Sequence, residues 1–251
     1  MLRRSIFALL ILPGLPLWGQ SPAFEAATVK VNDGLDHAVI LPVFRNGAFT
    51  ARNVSLRRLL RTAYGLSDLQ ILGPDWIGSG QYDVEAKFPG VPDSELMPML
   101  RSLLHDRFHL TAHREKKEMP VFDMVIASGG LKMSPFDPAH PAPHPSAGAA
   151  TRYLGAIATN GVVTMSQLAI QLAPAAGRPV VNRTNVEGSY SFMLIFTMAP
   201  SSSPSASDTT GSNAPDLFTA IREQLGLRLE PKKEFIEVLV VDRADRIPAG
   251  N

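Results

Sequence analysis

Three histidines recur at four-residue intervals, at His105, His109 and His113. On a helix this spacing would place the three imidazoles on one face, where they could bind a metal such as zinc. Apolar residues alternate with polar ones over positions 108–112, however, which predicts a strand, and on a strand only His109 and His113 share a face, the outer one. The sequence places no acidic third ligand beside them. It therefore predicts solvent-exposed histidines and no metal site.

Asp106 and His113 are the candidates for catalysis, and Trp76, His109 and His113 are the candidates for binding. Asp106 and Arg107 stand where a predicted helix ends. We favour a structural role for this pair, because Asp tolerates the left-handed conformation and Arg can donate to the free carbonyls of the last turn. Trp76 follows a Gly-Pro-Asp run and either covers the core or forms an exposed contact; the sequence leaves both interpretations open.

The short motifs of common hydrolases do not occur in the chain. There is no Gly-x-Ser-x-Gly elbow, no Ser-x-x-Lys and no His-Glu-x-x-His. The Gly-Ser-Gly segment at 78–80 is too short for a phosphate-binding loop and predicts a turn. The lack of cysteine excludes disulfides and thiolate metal sites. No cofactor is predicted.

The candidate residues depend on predicted helices and hairpins. The first helix is capped by Ser55 or Asn53, ends at Gly65, and has an apolar stripe formed by Leu56, Leu59, Leu60, Ala63 and Tyr64. A hairpin is predicted before it at Asn46-Gly47.

A second helix is predicted after a cap at Asp93 or Ser94, with Pro98 near its start, where proline is tolerated only in the first turn. It leads into a predicted hairpin whose turn is the charged run 114–118.

The same order of signals recurs later in the chain. Gly47 and Tyr82 lie 108 positions before Gly155 and Tyr190. The recurring helix begins after Thr164 and should be bent or shortened by Pro174, and the recurring hairpin should turn at 231–234. The predicted fold class is therefore α+β, with two related lobes that each pack about two helices on a mostly antiparallel or mixed sheet.

Composition divides the chain further. Residues 1–20 have the basic start and short apolar run of a signal peptide. The predicted lobes span 21–134 and 151–251, joined by a Pro/His-rich linker at 135–150, and a Ser/Pro-rich insertion at 199–215 is predicted to be disordered.

The net charge and the predicted location of the protein limit the kinds of partner that it could bind. The net charge of +1 gives no reason to expect nucleic acid as a partner. No segment after the signal peptide is long and apolar enough for stable membrane insertion. The predicted location is the periplasm or the cell exterior.

Several motifs resemble a soil-associated family of exported proteins of unknown function that is expanded in acidobacteria. They are Asn53-Val54-Ser55-Leu56 with Leu59-Leu60 and Ala63-Tyr64-Gly65-Leu66, Gly73-Pro74-Asp75-Trp76-Ile77, Asp106-Arg107-Phe108 with His113-Arg114-Glu115, and Gly177-Arg178-Pro179-Val180-Val181. The resemblance covers nearly all of the chain after residue 20 and implies an exported protein without an established activity. The related domain is also attached to membrane sensor-peptidases.

A second resemblance, at the level of fold alone, is to the short N-terminal domain of secretins and TonB-dependent receptors, which binds envelope proteins. The expected function is thus a non-catalytic binding module whose partner is an envelope protein, a peptide or a glycan. The alternatives are an extracellular hydrolase that uses Asp and His at the lobe interface, and a sensory domain partnered with a membrane peptidase.

Overall fold

The computed structural model describes residues 23–32, 34, 38–88, 90–137, 139, 151–153, 156–197 and 214–250. Its strands are β1 (Ala26–Val31), β2 (Ile40–Arg45), β3 (Ala48–Ser55), β4 (Ile71–Leu72), β5 (Gln81–Lys87), β6 (Thr111–Ile126), β7 (Ser134–Pro135), β8 (Thr151–Tyr153), β9 (Ala156–Thr164), β10 (Val180–Asn182), β11 (Ser189–Phe196) and β12 (Leu227–Arg243). Its α-helices are α1 (Leu56–Tyr64), α2 (Trp76–Ser79), α3 (Asp93–Phe108), α4 (Met165–Ala176) and α5 (Leu217–Ala220). The predicted signal peptide and most of the predicted linker and insertion lie outside the described residues.

The described residues form three four-stranded sheets. The first has the order β1-β5-β3-β2 and the last has the order β7-β11-β9-β8, and both are antiparallel throughout. The central sheet has the order β10-β6-β12-β4 and is mixed, since its two outer strands run parallel to their neighbours. The predicted α+β class is confirmed.

The central sheet takes strands from both halves of the chain. β4 from the first half pairs with β12 from the second, and β10 from the second half pairs with β6 from the first. The two long strands β6 and β12 pair along almost their whole length, with Lys117 opposite Ile236 in the middle. Each half therefore contributes one long strand and one short strand to the central sheet, and each short strand pairs with the long strand of the other half.

The two hairpins predicted after α3 and before the C-terminus are wrong. The charged run 114–118 lies inside β6, and 231–234 lies inside β12, so each predicted hairpin is one continuous strand. Their hydrogen-bonding partner is the other long strand rather than the neighbouring segment of the same half.

Each hydrophobic core also draws on both halves. The first core packs β3, β5, α1 and α3 together with Leu239 and Val241 of β12. The second core packs α4, β11 and α5 together with Phe122 and Met124 of β6. The exchange of long strands therefore determines burial as well as hydrogen bonding.

The structure confirms the predicted caps of α1 and α4 but not that of α3, which begins after Pro92 and not after Asp93 or Ser94. α1 begins after Ser55 and ends before Gly65, as predicted. Pro98 lies in the second turn of α3, not the first, and α4 continues past Pro174 to Ala176 without being shortened. The segment predicted as a turn at 78–80 overlaps the end of α2. Within the described residues, no helix combines the length and the apolar character needed to cross a bilayer.

Candidate functional site

A cavity of about 450 Å³ lies between the two halves. α1 and β2 of the first half form one wall, and α4, β9 and β11 of the second half form the other. Its lining is mostly apolar and consists of Leu41, Pro42, Arg58, Arg61, Thr62, Ile157, Thr159, Leu168, Gln171, Leu172, Pro174, Ala175, Phe192 and Phe196.

The polar wall of the cavity follows from how α1 is anchored. The Ser55 hydroxyl accepts a hydrogen bond from the Arg58 backbone N–H at 3.3 Å, and Gly65 ends the helix in the left-handed conformation with φ 65°. The apolar stripe of α1 is buried in the first core. Arg58, Arg61 and Thr62 lie at i, i+3 and i+4 on another side of the helix and all line the cavity.

The apolar wall depends on α4. Thr164 and Gln167 form a capping box at its start, with the Thr164 hydroxyl accepting from the Gln167 N–H at 3.2 Å and the Gln167 side chain accepting from the Thr164 N–H at 2.9 Å. This fixes the helix so that Leu168 and Leu172 are buried between the second core and the cavity.

The charges on the cavity wall are both positive. Arg61 lies 3.5 Å from Asp68, which is outside the cavity lining. Burial lowers the pKa of the Arg58 guanidinium, the nearby Arg61 lowers it further, and Asp68 acts in the opposite direction. Within the described part of the chain, the Arg58 guanidinium has no hydrogen bond or ion pair. The wall thus carries a half-buried cation without a paired anion.

The three histidines do not form one site. His109 occupies the left-handed position that ends α3, with φ 44°, and its Nδ1 lies 2.7 Å from Asp245. His113 lies on β6, and its Nδ1 is 2.9 Å from Asp242. His105 contacts the neighbouring Asp106 at 3.1 Å. Each imidazole thus has its own carboxylate partner, and all three side chains are exposed.

The hydrogen bond that His113 makes to the Asp242 carboxylate is the largest cause of the raised pKa of this imidazole. Burial lowers the pKa, whereas the charges of Asp242 and Glu115 raise it. None of these groups lines the cavity.

The other candidate residues are placed differently from what the sequence indicated. Asp106 is helical, and the left-handed position at the end of α3 belongs to His109. Arg107 donates to the carbonyls of Gly250, at 2.5 Å, and Ala27, at 3.0 Å, instead of those of its own helix. Trp76 is half-buried against the first core. Asp106 and Arg107 line a separate cavity of about 330 Å³ beside the C-terminal segment.

A buried carboxylate on β6 was not indicated by any motif. The Asp123 side chain is only 2% exposed, and its carboxylate lies 2.6 Å from Lys232 Nζ and 3.7 Å from Arg183 Nε. The hydrogen bond that the Lys232 ammonium donates to the Asp123 carboxylate raises the pKa of Lys232. Arg183 also pairs with Glu234 at 3.0 Å. In the described residues this group joins β6, β12 and the end of β10, which favours a structural role.

Among the described residues, no group of three or more His, Asp or Glu side chains could hold an ion.

The cavity residues themselves were missed by sequence reasoning, since they come from segments far apart in the chain. The one local signal is the cluster of arginines on α1, where positions 57, 58 and 61 are all Arg and no acidic residue lies within the helix.

A family model described as "Protein of unknown function (DUF3738)" matches residues 57–244. The chain belongs to the DUF3738 family. The predicted membership in a family of unknown function is therefore confirmed. The DUF3738 match begins inside α1 and ends just after β12. It therefore includes Arg58 and Arg61 of the cavity wall and the whole apolar wall of the second half. No curated protein and no solved structure matches the chain.

Proposed function

We propose that this DUF3738 protein is an exported, non-catalytic binding protein whose ligand site is the cavity between the two halves. The cavity itself carries the proposal. Its volume of about 450 Å³ falls in the range of small-molecule sites, and its walls combine many apolar side chains with a few polar groups. The apolar walls favour an envelope protein, a peptide or another ligand that presents apolar surface to them.

The placement of the His–Asp contacts supports binding over turnover. The alternative of a hydrolase needs such a pair inside a cleft where a substrate can be held against it. His109 with Asp245 and His113 with Asp242 are exposed, and none of the four residues lines the cavity.

We further propose that the two halves arose as a repeat. Two matched sets of ion pairs cross the β6–β12 ladder. His113 with Asp242 and Lys232 with Asp123 occupy equivalent places, since 113 and 232 are separated by the same interval as 123 and 242. Arg114 with Glu237 and Lys233 with Glu118 follow the same relation. Export is supported by the signal-peptide pattern of residues 1–20.

Ala175 offers a direct test of the ligand site. Ala175→Phe adds a ring to the cavity wall, whereas Ala175→Ser leaves the cavity open. The melting temperature of the chain from residue 21 onwards, without the predicted signal peptide, is measured with and without each of a set of small apolar molecules and short apolar peptides. We expect ligands that raise it for the parent and for Ala175→Ser to have no effect on Ala175→Phe.

Two results would contradict the proposal. One is a set of ligands whose stabilisation survives in Ala175→Phe, which would place binding elsewhere. The other is turnover of any member of the set that depends on His113 or Asp106, which would favour the hydrolase.

A further inference from the structure

We propose that the ligand of the cavity is an apolar monoacid, a small molecule with an apolar body and one anionic head group. This inference rests on the proposed function and adds the chemical class of the ligand. The head group would contact Arg58 and Arg61, and the apolar body would lie against α4 and β11.

The two walls of the cavity differ in chemistry. α1 contributes the side chains of Arg58, Arg61 and Thr62 along one side, and the Thr62 hydroxyl already donates to the Arg58 carbonyl. The opposite wall contributes Leu168, Leu172 and the rings of Phe192 and Phe196. A ligand that satisfies both walls must itself be charged at one end and apolar at the other.

The net charge on and beside the cavity is matched by a ligand with one negative charge. Arg61 is 3.5 Å from Asp68, so one of the two cations already has a carboxylate partner. Arg58 has none at ion-pair distance among the described residues, and no acidic side chain lines the cavity. The group of two arginines and one aspartate therefore has a net charge of +1, which a monoanion neutralises.

Arg58 is also costly to the free protein. Burial and the neighbouring Arg61 lower the pKa of its guanidinium, and the charge of Asp68, which is not at ion-pair distance, offsets this only in part. Among the described residues its side chain makes no hydrogen bond or ion pair that would offset this, whereas Arg57 on the same helix donates to the carbonyls of Asp68 and Ile71. A bound carboxylate would supply the missing partner, with a charge-assisted hydrogen bond in a partly dehydrated site.

The test uses two acids and their neutral counterparts. Decanoate and 1-naphthaleneacetate carry a chain and a ring, and decanamide and 1-naphthaleneacetamide keep these bodies without the charge. Binding to the chain from residue 21 onwards is measured by isothermal titration calorimetry. We expect at least one acid to bind in a 1:1 ratio and at least tenfold more tightly than its amide.

The matched variants are Arg58→Met and Arg222→Met. Methionine keeps much of the apolar stem and removes the charge, and Arg222 is an exposed arginine outside the cavity. We expect Arg58→Met to weaken acid binding at least tenfold, to leave amide binding within twofold, and not to lower the melting temperature. Arg222→Met should leave acid binding within twofold.

The outcomes separate this inference from the proposed function. If the amides bind as tightly as the acids and Ala175→Phe abolishes the binding of both, the proposal of a monoacid ligand is wrong. The cavity is then still supported as the ligand site. If the acids bind but Ala175→Phe has no effect, both proposals are wrong. If neither acid binds, the monoacid is wrong, and the wider ligand set decides the proposed function.

Discussion

At the scale of single residues, the contact between His113 and Asp242 makes a prediction about pH. The carboxylate raises the pKa of the imidazole, so Asp242→Asn should lower this pKa towards its ordinary value of 6.5. The measurement is a titration of the imidazole signals by NMR. Asp245→Asn is the control, because Asp245 contacts His109 and should leave the pKa of His113 in place.

The same contact sets the sign of a stability change. A histidine whose pKa is higher in the folded state binds its proton more tightly there, so its contribution is complete below pH 6.5. It is lost as the pH rises through the folded-state pKa. The difference in unfolding free energy between the parent and Asp242→Asn should therefore shrink on going from acid to alkaline pH. A difference that grows with pH would contradict the assignment.

The residue scale is also where the sequence indicated the site least well. The histidine spacing is real, but each imidazole has a separate carboxylate that comes from position 106, 242 or 245. Two of these partners are distant in sequence and meet the histidines only through the β6–β12 pairing and the segment after it. No motif singles out Arg58, which lines a cavity whose opposite wall comes from the other half of the chain.

At the scale of elements, the cap of α4 makes a second prediction. Thr164→Ala removes the hydroxyl that accepts from the Gln167 N–H and should cost about 1 kcal/mol of unfolding free energy. Thr164→Ser keeps the hydroxyl and should cost much less. Urea unfolding measures both. Equal losses for the two variants would show that the methyl group, and not the cap, contributes the stability.

The end of the π-helical turn at 221–225 makes a third prediction. Gly226 has φ +69°, and a Cβ there would lie 2.0 Å from the Gly130 carbonyl oxygen. Gly226→Ala therefore adds a backbone clash to the strain of the left-handed conformation and should cost about 3 kcal/mol or more.

Gly65 provides the control for this change. It has φ +65° and no atom within 4 Å of an added Cβ, so Gly65→Ala should cost only the conformational strain, about 1 kcal/mol. Thermal unfolding of both variants makes the comparison. Equal losses would show that the contact with Gly130 yields without cost.

Elements whose signals are local were predictable, and elements defined by distant pairing were not. Ser55 and Gly65 delimit α1 because a cap acts within one turn of its helix. The charged run 114–118 resembles a turn because β6 is exposed there and lacks the alternation of a half-buried strand. Only its pairing with β12 shows that the chain continues straight.

At the scale of the whole molecule, the exchange of strands predicts that neither half folds alone. The first core lacks Leu239 and Val241 when β12 is absent, and the second lacks Phe122 and Met124 when β6 is absent. Each half would also leave both edges of its long strand unpaired, since β6 pairs with β10 and β12, and β12 pairs with β4 and β6.

Fragments 21–143 and 144–251 test this expectation, since the division falls within the predicted linker. Each fragment alone should show no cooperative thermal transition by circular dichroism, and an equimolar mixture should recover one. The control is the folded chain cut at the same place, which should keep its transition because the cut removes no core residue named above. A fragment that unfolds cooperatively by itself would contradict the mutual completion of the cores. The cavity has one wall from each half, so we expect ligand binding to return only with the mixture, in step with the transition.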